Sequence, residues 1–244
     1  MSASHWGSPA ASKRALLIHG LTASSQSWEG IAQLLVAEGF FVVAPNLLGH
    51  AWRRGTDYRI STLAEDLRPY FAMDMPYDVI IGHSLGGLVA LSLFPYLPKT
   101  KETTVILVDP PLELTVEQFK KSKNKFLKEI EDSKTADEHM AEHPAWSRSN
   151  SILRALGVYM CDRIVVEGIF EHNTPWSFSG LLKNIPPHVK TALLVSDPER
   201  GSVCHLEQVS HDVKTKVFIE IGHWIQYECP DAIMDEVSLP RANL

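Results

Sequence analysis

Six short apolar runs punctuate the chain, at Ala15–Ile18, Phe40–Ala44, Tyr77–Ile81, Thr104–Val108, Thr191–Ser196 and Thr215–Glu220. Each is short enough for a strand. Amphipathic stretches stand between them. Trp28, Ile31, Leu34 and Leu35 follow the first run at helical spacing. Thr62 and Glu65 have the form of a capping box, which predicts a helix opening there and running through Leu63, Leu67 and Tyr70. Strand and helix in alternation are the pattern of βα units around a parallel sheet. The fold class expected is therefore α/β, a mostly parallel twisted sheet of about six strands flanked by helices, with the six runs pairing in parallel.

One interval breaks this rhythm. Eighty residues, Pro110 to Val189, separate the fourth and fifth runs, where a crossover helix needs only ~10 to 15. The segment is rich in Lys, Glu, Leu and Ala without strict alternation, which predicts helices. It reads as a helical cap within a single domain spanning 1–244, the cap at about 112–185 and the core at about 15–111 and 186–240. Its aromatic residues Trp146, Phe170, Trp176 and Phe178 suit both a lid over an apolar pocket and ordinary helix packing. His139, His143 and His172 also fall there, as solvated or packing side chains.

Composition narrows the function classes. A chain of 244 residues, 45% hydrophobic and 21% charged, is in the range of an ordinary globular domain. Its net charge of -6 argues against a nucleic-acid footprint. The densest basic stretch, Lys120 to Lys128, is interleaved with Phe119, Phe126 and Leu127 and runs into Glu129 and Glu131, so it predicts one amphipathic helix with a solvated face. Cys161, Cys204 and Cys229 are widely spaced and form no metal-ligand pattern, so reduced, mostly buried thiols and no metal are expected. Without a signal-peptide core or a long apolar run, no membrane partner is expected and the cytoplasm is the expected location. Ala242-Asn243-Leu244 offers a faint likeness to a peroxisomal address. The only protein partner entertained is a second copy of the chain.

The chemistry concentrates in Tyr77-Asp-Val-Ile-Ile-Gly82-His83-Ser84-Leu85-Gly86-Gly87, followed by Leu-Val-Ala-Leu-Ser-Leu. An apolar strand running into G-x-S-x-G and directly into a helix is the context of a nucleophile elbow. The tight turn presents the Ser84 hydroxyl at a helix N-terminus, where developing negative charge is favoured. Leu17-Ile18-His19-Gly20-Leu21-Thr22 supplies a second element. The backbone N–H groups of Leu21 and Leu85 are the candidate oxyanion hole. His19 reads as a brace of that loop, and His83, inside the elbow, is expected to point elsewhere.

Eleven histidines compete as general base. His223 stands out because it leaves the last predicted strand, late in the chain, as the order serine, acid, histidine requires. Two acids compete to orient it. Asp109 ends the fourth run and Asp197 the fifth, both at the carboxyl edge of a parallel sheet. Asp109 is favoured, because Asp197 stands in an Asp-Pro turn where an aspartate bonds its own backbone, while Pro110 and Pro111 stiffen the chain behind Asp109. His19, Gly20, Trp146, Trp176 and Trp224 are the candidates for substrate contact.

With these motifs in order, the sequence resembles the α/β-hydrolases of the capped esterase, lactonase and meta-cleavage-hydrolase group, from Ala15 to Val237. His19-Gly20, the Gly82 to Gly86 elbow, and Gly222-His223 with Glu228 and Pro230 behind it carry the resemblance. It implies a Ser-His-Asp/Glu triad, acyl-enzyme chemistry, no cofactor and a substrate-selecting cap. Three departures stand out. Asn46 replaces the usual Asp and Ala51 the usual Gly. The chain starts just before the His-Gly strand, so the two leading strands of many members are not expected. Arg200 occupies the usual place of the acid in the loop after the fifth run.

The leading function is hydrolysis of a small-molecule carboxylic ester or lactone with an apolar body, through an acyl-enzyme on Ser84. Hydrolysis of a carbon-carbon bond in a 1,3-dicarbonyl compound is an alternative the same scaffold supports. A ligand-binding protein that keeps the pocket without using the triad is the other.

Overall fold

The computed structural model describes residues 2–71, 76–210 and 212–237; the Ala242–Leu244 tripeptide and the expected core limit at 240 lie outside them. Seven strands form one sheet. They are β1 (Ala3–Trp6), β2 (Lys13–Ile18), β3 (Phe40–Pro45), β4 (Val79–His83), β5 (Thr103–Val108), β6 (Val189–Val195) and β7 (Lys214–Val217), in the spatial order β1-β3-β2-β4-β5-β6-β7. The six strands from β2 to β7 pair in parallel throughout.

The strands β2 to β6 are covered on both faces, which is why they read as largely apolar runs. Along β2 the side chains alternate between two cores. Leu16 and Ile18 join α2 (Ile60–Leu67), α3 (Leu85–Ser92) and the later cap helix α7 (Arg163–His172). Ala15 and Leu17 face α1 (Glu29–Ala37) and α9 (Pro230–Val237).

Between β5 and β6 the chain leaves the sheet as the cap: α4 (Val116–Glu131), α5 (Ala136–Glu142), α6 (Arg148–Tyr159) and α7. The Lys120–Lys128 stretch lies within the single helix α4. Val165, Val166, Ile169 and Phe170 of α7 enter the same core as α2 and α3, so apolar burial ties cap to sheet. A short helix α8 (Ile225–Glu228) precedes α9. Among the described residues no helix is long and apolar enough to cross a membrane.

Three expectations are corrected. A leading strand exists: β1 pairs antiparallel with β3 at the sheet edge. Its sequence is polar, and it is held by ring stacking of His5 on Phe41, a Ser4–Ser25 hydroxyl bond at 2.8 Å and donation from Trp6 Nε1 to Glu29. The last strand stops at Val217 rather than Glu220, because the backbone turns at Glu220 (φ 65°) and its amide is taken by the Asp197 carboxylate at 2.7 Å. The Thr62 capping box does not form. The helix α2 begins two residues earlier, at Ile60, and the Thr62 hydroxyl donates to Asp57, which also accepts the Arg59 amide.

Candidate active site

At the end of β4 the chain turns sharply into α3, and Ser84 sits on the turn with φ 52° and ψ -119°. Few non-glycine residues occupy that region, and they persist only where the surroundings over-determine them. Here the Ser84 amide donates to the Val108 carbonyl at 2.8 Å, anchoring the turn to β5. A methyl group at Gly86 would lie 2.1 Å from the Ile18 carbonyl oxygen, so the close approach of α3 to β2 requires glycine there. The N–H of Leu85, first residue of α3, and that of Leu21 donate to no protein acceptor among the described residues.

His223 lies in the loop between β7 and α8. Its Nδ1 is 2.6 Å from Oδ2 of Asp109. A carboxylate only accepts, so Nδ1 is the donor, and in the neutral ring Nε2 is the acceptor. Asp109 is fully buried at the end of β5, with φ 45°. Ser196 Oγ (2.8 Å), Ser202 Oγ (2.7 Å) and the Val203 amide (3.2 Å) also donate to it. Burial pushes its pKa up, but the hydrogen bond and charge of His223 and the Ser202 and Ser196 hydroxyls outweigh this, and the net direction is down. Asp197, the other acid the sequence left open, spends its two oxygens on the amides of Glu199 and Glu220.

The loop of His223 is held from beneath. His83 donates from Nε2 to the His223 carbonyl at 3.0 Å and packs on the rings of His223 and Trp224. It therefore braces the site rather than pointing away from it, and burial together with the nearby His223 keeps its pKa well below the ordinary imidazole value. The Gly222 amide donates to Glu228, which also accepts from Trp146 Nε1 at 3.2 Å.

Ser84, Leu85, Leu21 and His223 line one cavity of about 560 Å³ beneath the cap. Among the described residues no hydrogen bond joins the Ser84 hydroxyl to another side chain; such contacts commonly tighten only when substrate is bound. Trp146, Trp176 and Trp224 line this cavity. His19 and Gly20 do not. His19 is buried, donating from Nδ1 to the Gly20 carbonyl and accepting the Leu47 amide at Nε2, so neither ring nitrogen is left for a ligand. Desolvation and the neighbouring His50 push its pKa down to about 3. His139 and His143 pack on Trp146, the latter stacked at 4.0 Å, and both border the cavity.

Several wall residues escaped the sequence reading. Ser122, Lys125, Phe126 and Glu129 recur along α4 at helical spacing and all face the cavity; the periodicity that marked the helix also marked this stripe. Arg154 of α6 carried no such signal.

A model described as the alpha/beta hydrolase family matches residues 15–236. The chain belongs to that family. The curated relatives match only part of this chain. An uncharacterized protein of Mycobacterium tuberculosis, Rv2715, is 35% identical over 95 residues, 38% of this chain and 28% of that protein. Lipase LipV of the same organism is 34% identical over 114 residues, 43% of this chain and 40% of the lipase. The chain thus spans less than half the length of either relative. Among solved structures, the N-formylmaleamic acid deformylase of Pseudomonas putida superposes with a TM-score of 0.73 at 22% identity, over 97% of this chain and 94% of that one. That likeness is one of fold.

Proposed function

We propose that the protein is a serine hydrolase that cleaves a carboxylic ester or lactone through an acyl-enzyme on Ser84. The observation that carries this reading is the relay ending at the cavity: a buried Asp109 carboxylate on Nδ1 of His223, leaving Nε2 as acceptor in the wall that also holds Ser84. In this mechanism Nε2 takes the proton as the Ser84 oxygen attacks the carbonyl carbon. The tetrahedral oxyanion accepts from the Leu21 and Leu85 amides, each worth about 3 kcal/mol in comparable sites. The imidazolium then protonates the departing alcohol oxygen. Water enters, loses its proton to His223 and releases the acid by the same steps in reverse order.

The cavity favours an amphipathic substrate. Leu114, Phe126, Phe170 and Trp176 offer an apolar wall, whereas Lys125 and Arg200 border it without forming an ion pair among the described residues. Our reading is an ester or lactone whose apolar body lies on the aromatic wall and whose polar or acidic group reaches these two cations.

The test is turnover of p-nitrophenyl esters and lactones by wild type and Ser84→Ala. The wild type hydrolyses them, and the variant, folded to the same thermal midpoint, retains less than ~1%. A variant with wild-type turnover, or a wild type that cleaves only 1,3-diketones, contradicts the reading.

A further inference from the structure

The oxyanion loop contains a strained residue held from the cap. Thr22, next to Leu21, has φ 55°, a conformation that is an outlier for a β-branched side chain. Such strain persists only where the surroundings over-determine it. From the core, the Thr22 amide donates to His50 Nε2 at 3.3 Å, and its hydroxyl donates to the Leu21 carbonyl at 2.7 Å. From the cap comes Arg154, a buried arginine of α6. It donates from Nη1 to the Thr22 carbonyl and from Nη2 to the Thr22 hydroxyl at 3.1 Å. Its charge is met by Glu129 of α4. The Cζ carbon of the same guanidinium lies over the Trp224 ring, 4.7 Å from its centroid, beside His223. The helix comes this close because residue 157 is glycine: a Cβ there would be 2.9 Å from the Thr22 carbonyl oxygen.

One cation therefore touches both loops on which the proposed chemistry depends. We propose that Arg154 is a positioning residue: through Thr22 it fixes the Leu21 amide, and through Trp224 it fixes the loop of His223. The cap then supplies part of the catalytic frame in addition to a wall for the substrate. The physical reason is that an oxyanion donor is effective only when it is already oriented before charge develops. A backbone strained at Thr22 would relax, and turn the neighbouring peptide, once its outer hydrogen bonds were lost. This inference rests on the serine-hydrolase reading above.

The test uses p-nitrophenyl acetate, whose acyl group is small, beside p-nitrophenyl decanoate, with Arg154→Met, Arg154→Lys, Gly157→Ala and the double variant Arg154→Met/Glu129→Leu. The double variant removes the carboxylate that Arg154→Met would strand, and so keeps a folded protein in the comparison. For Arg154→Met and the double variant, kcat with the acetate falls roughly 100-fold, the scale of a misplaced catalytic group, while KM changes less than about threefold. Affinity for an aryl trifluoromethyl ketone, bound as an oxyanion adduct, falls in parallel with kcat. Gly157→Ala shows the same kcat loss with Arg154 intact, and Arg154→Lys recovers part of the activity. A folded double variant with wild-type kcat on the acetate overturns the proposal, as does a defect confined to KM for the decanoate. A wild type inert to both esters and to the ketone overturns the hydrolase reading instead, and this inference with it.

Discussion

The Nδ1 atom of His223 lies 2.6 Å from Oδ2 of Asp109, across 114 positions of sequence. The carboxylate is fully buried and receives the imidazole together with two serine hydroxyls and two backbone amides, so the ring's orientation is fixed from one side. Asp109→Asn would offer a donor where an acceptor is needed and favour the wrong tautomer. We predict that it lowers kcat for p-nitrophenyl esters by roughly 10⁴-fold, the scale of the equivalent change in serine proteases. Asp197→Asn, at a side chain that holds two loop amides, is expected to stay within about tenfold of wild type. Steady-state kinetics on the two purified variants distinguish them, and the reverse ranking would contradict the assignment.

Three buried histidines should govern acid stability. Burial lowers the pKa of His50 to about 4; with smaller contributions from neighbouring charges it lowers that of His19 to about 3 and holds His83 well below the ordinary value. In the unfolded chain each titrates near ~6.5. A folded-state pKa below the unfolded one means that the unfolded state binds the proton first. The stability contributed is present above pH ~6.5 and is lost as pH falls towards the folded values. Each group adds a slope of about 1.4 kcal/mol per pH unit between those limits. Urea unfolding at pH 7, 6 and 5 is expected to show this steepening, and His50→Gln to flatten it by one proton's worth.

At the mouth of the cavity, Lys125 and Arg200 can be tested by charge. Removing either is expected to raise KM about fivefold for an ester bearing a free carboxylate, the factor that ~1 kcal/mol is worth, and to leave a neutral ester of similar size unchanged. The difference should shrink in high salt, because both side chains are exposed. Equal effects on charged and neutral esters would argue against an acidic substrate.

The central strands β2 to β6 were legible because they are covered on both faces, so each carries an apolar run. By contrast, β1 was hidden: its Ala-Ser-His-Trp sequence has no such run, and a neighbouring ring and edge pairing recruit it. Local motifs fared according to competition. Thr115 with Gln118 and Thr135 with Glu138 form true capping boxes, whereas Thr62 with Glu65 fits the same pattern and loses its hydroxyl to Asp57.

The elbow around Ser84 was readable because its geometry is local. Which acid meets His223 was not, since that depends on how the loop after β6 curls back to place Ser202 and Val203 on Asp109. Arg154 left no trace in the pattern, because a single arginine on a cap helix looks like any solvated side chain until its partners Thr22, Glu129 and Trp224 are brought to it.

The most direct measurement is the site of covalent labelling by a fluorophosphonate, which forms a bond only to an activated hydroxyl at a working oxyanion site. Intact-mass and peptide mapping of the treated wild type are expected to show one adduct, on Ser84, and none in Ser84→Ala. Absence of an adduct on the folded wild type, or an adduct at another residue that persists in Ser84→Ala, would contradict the account.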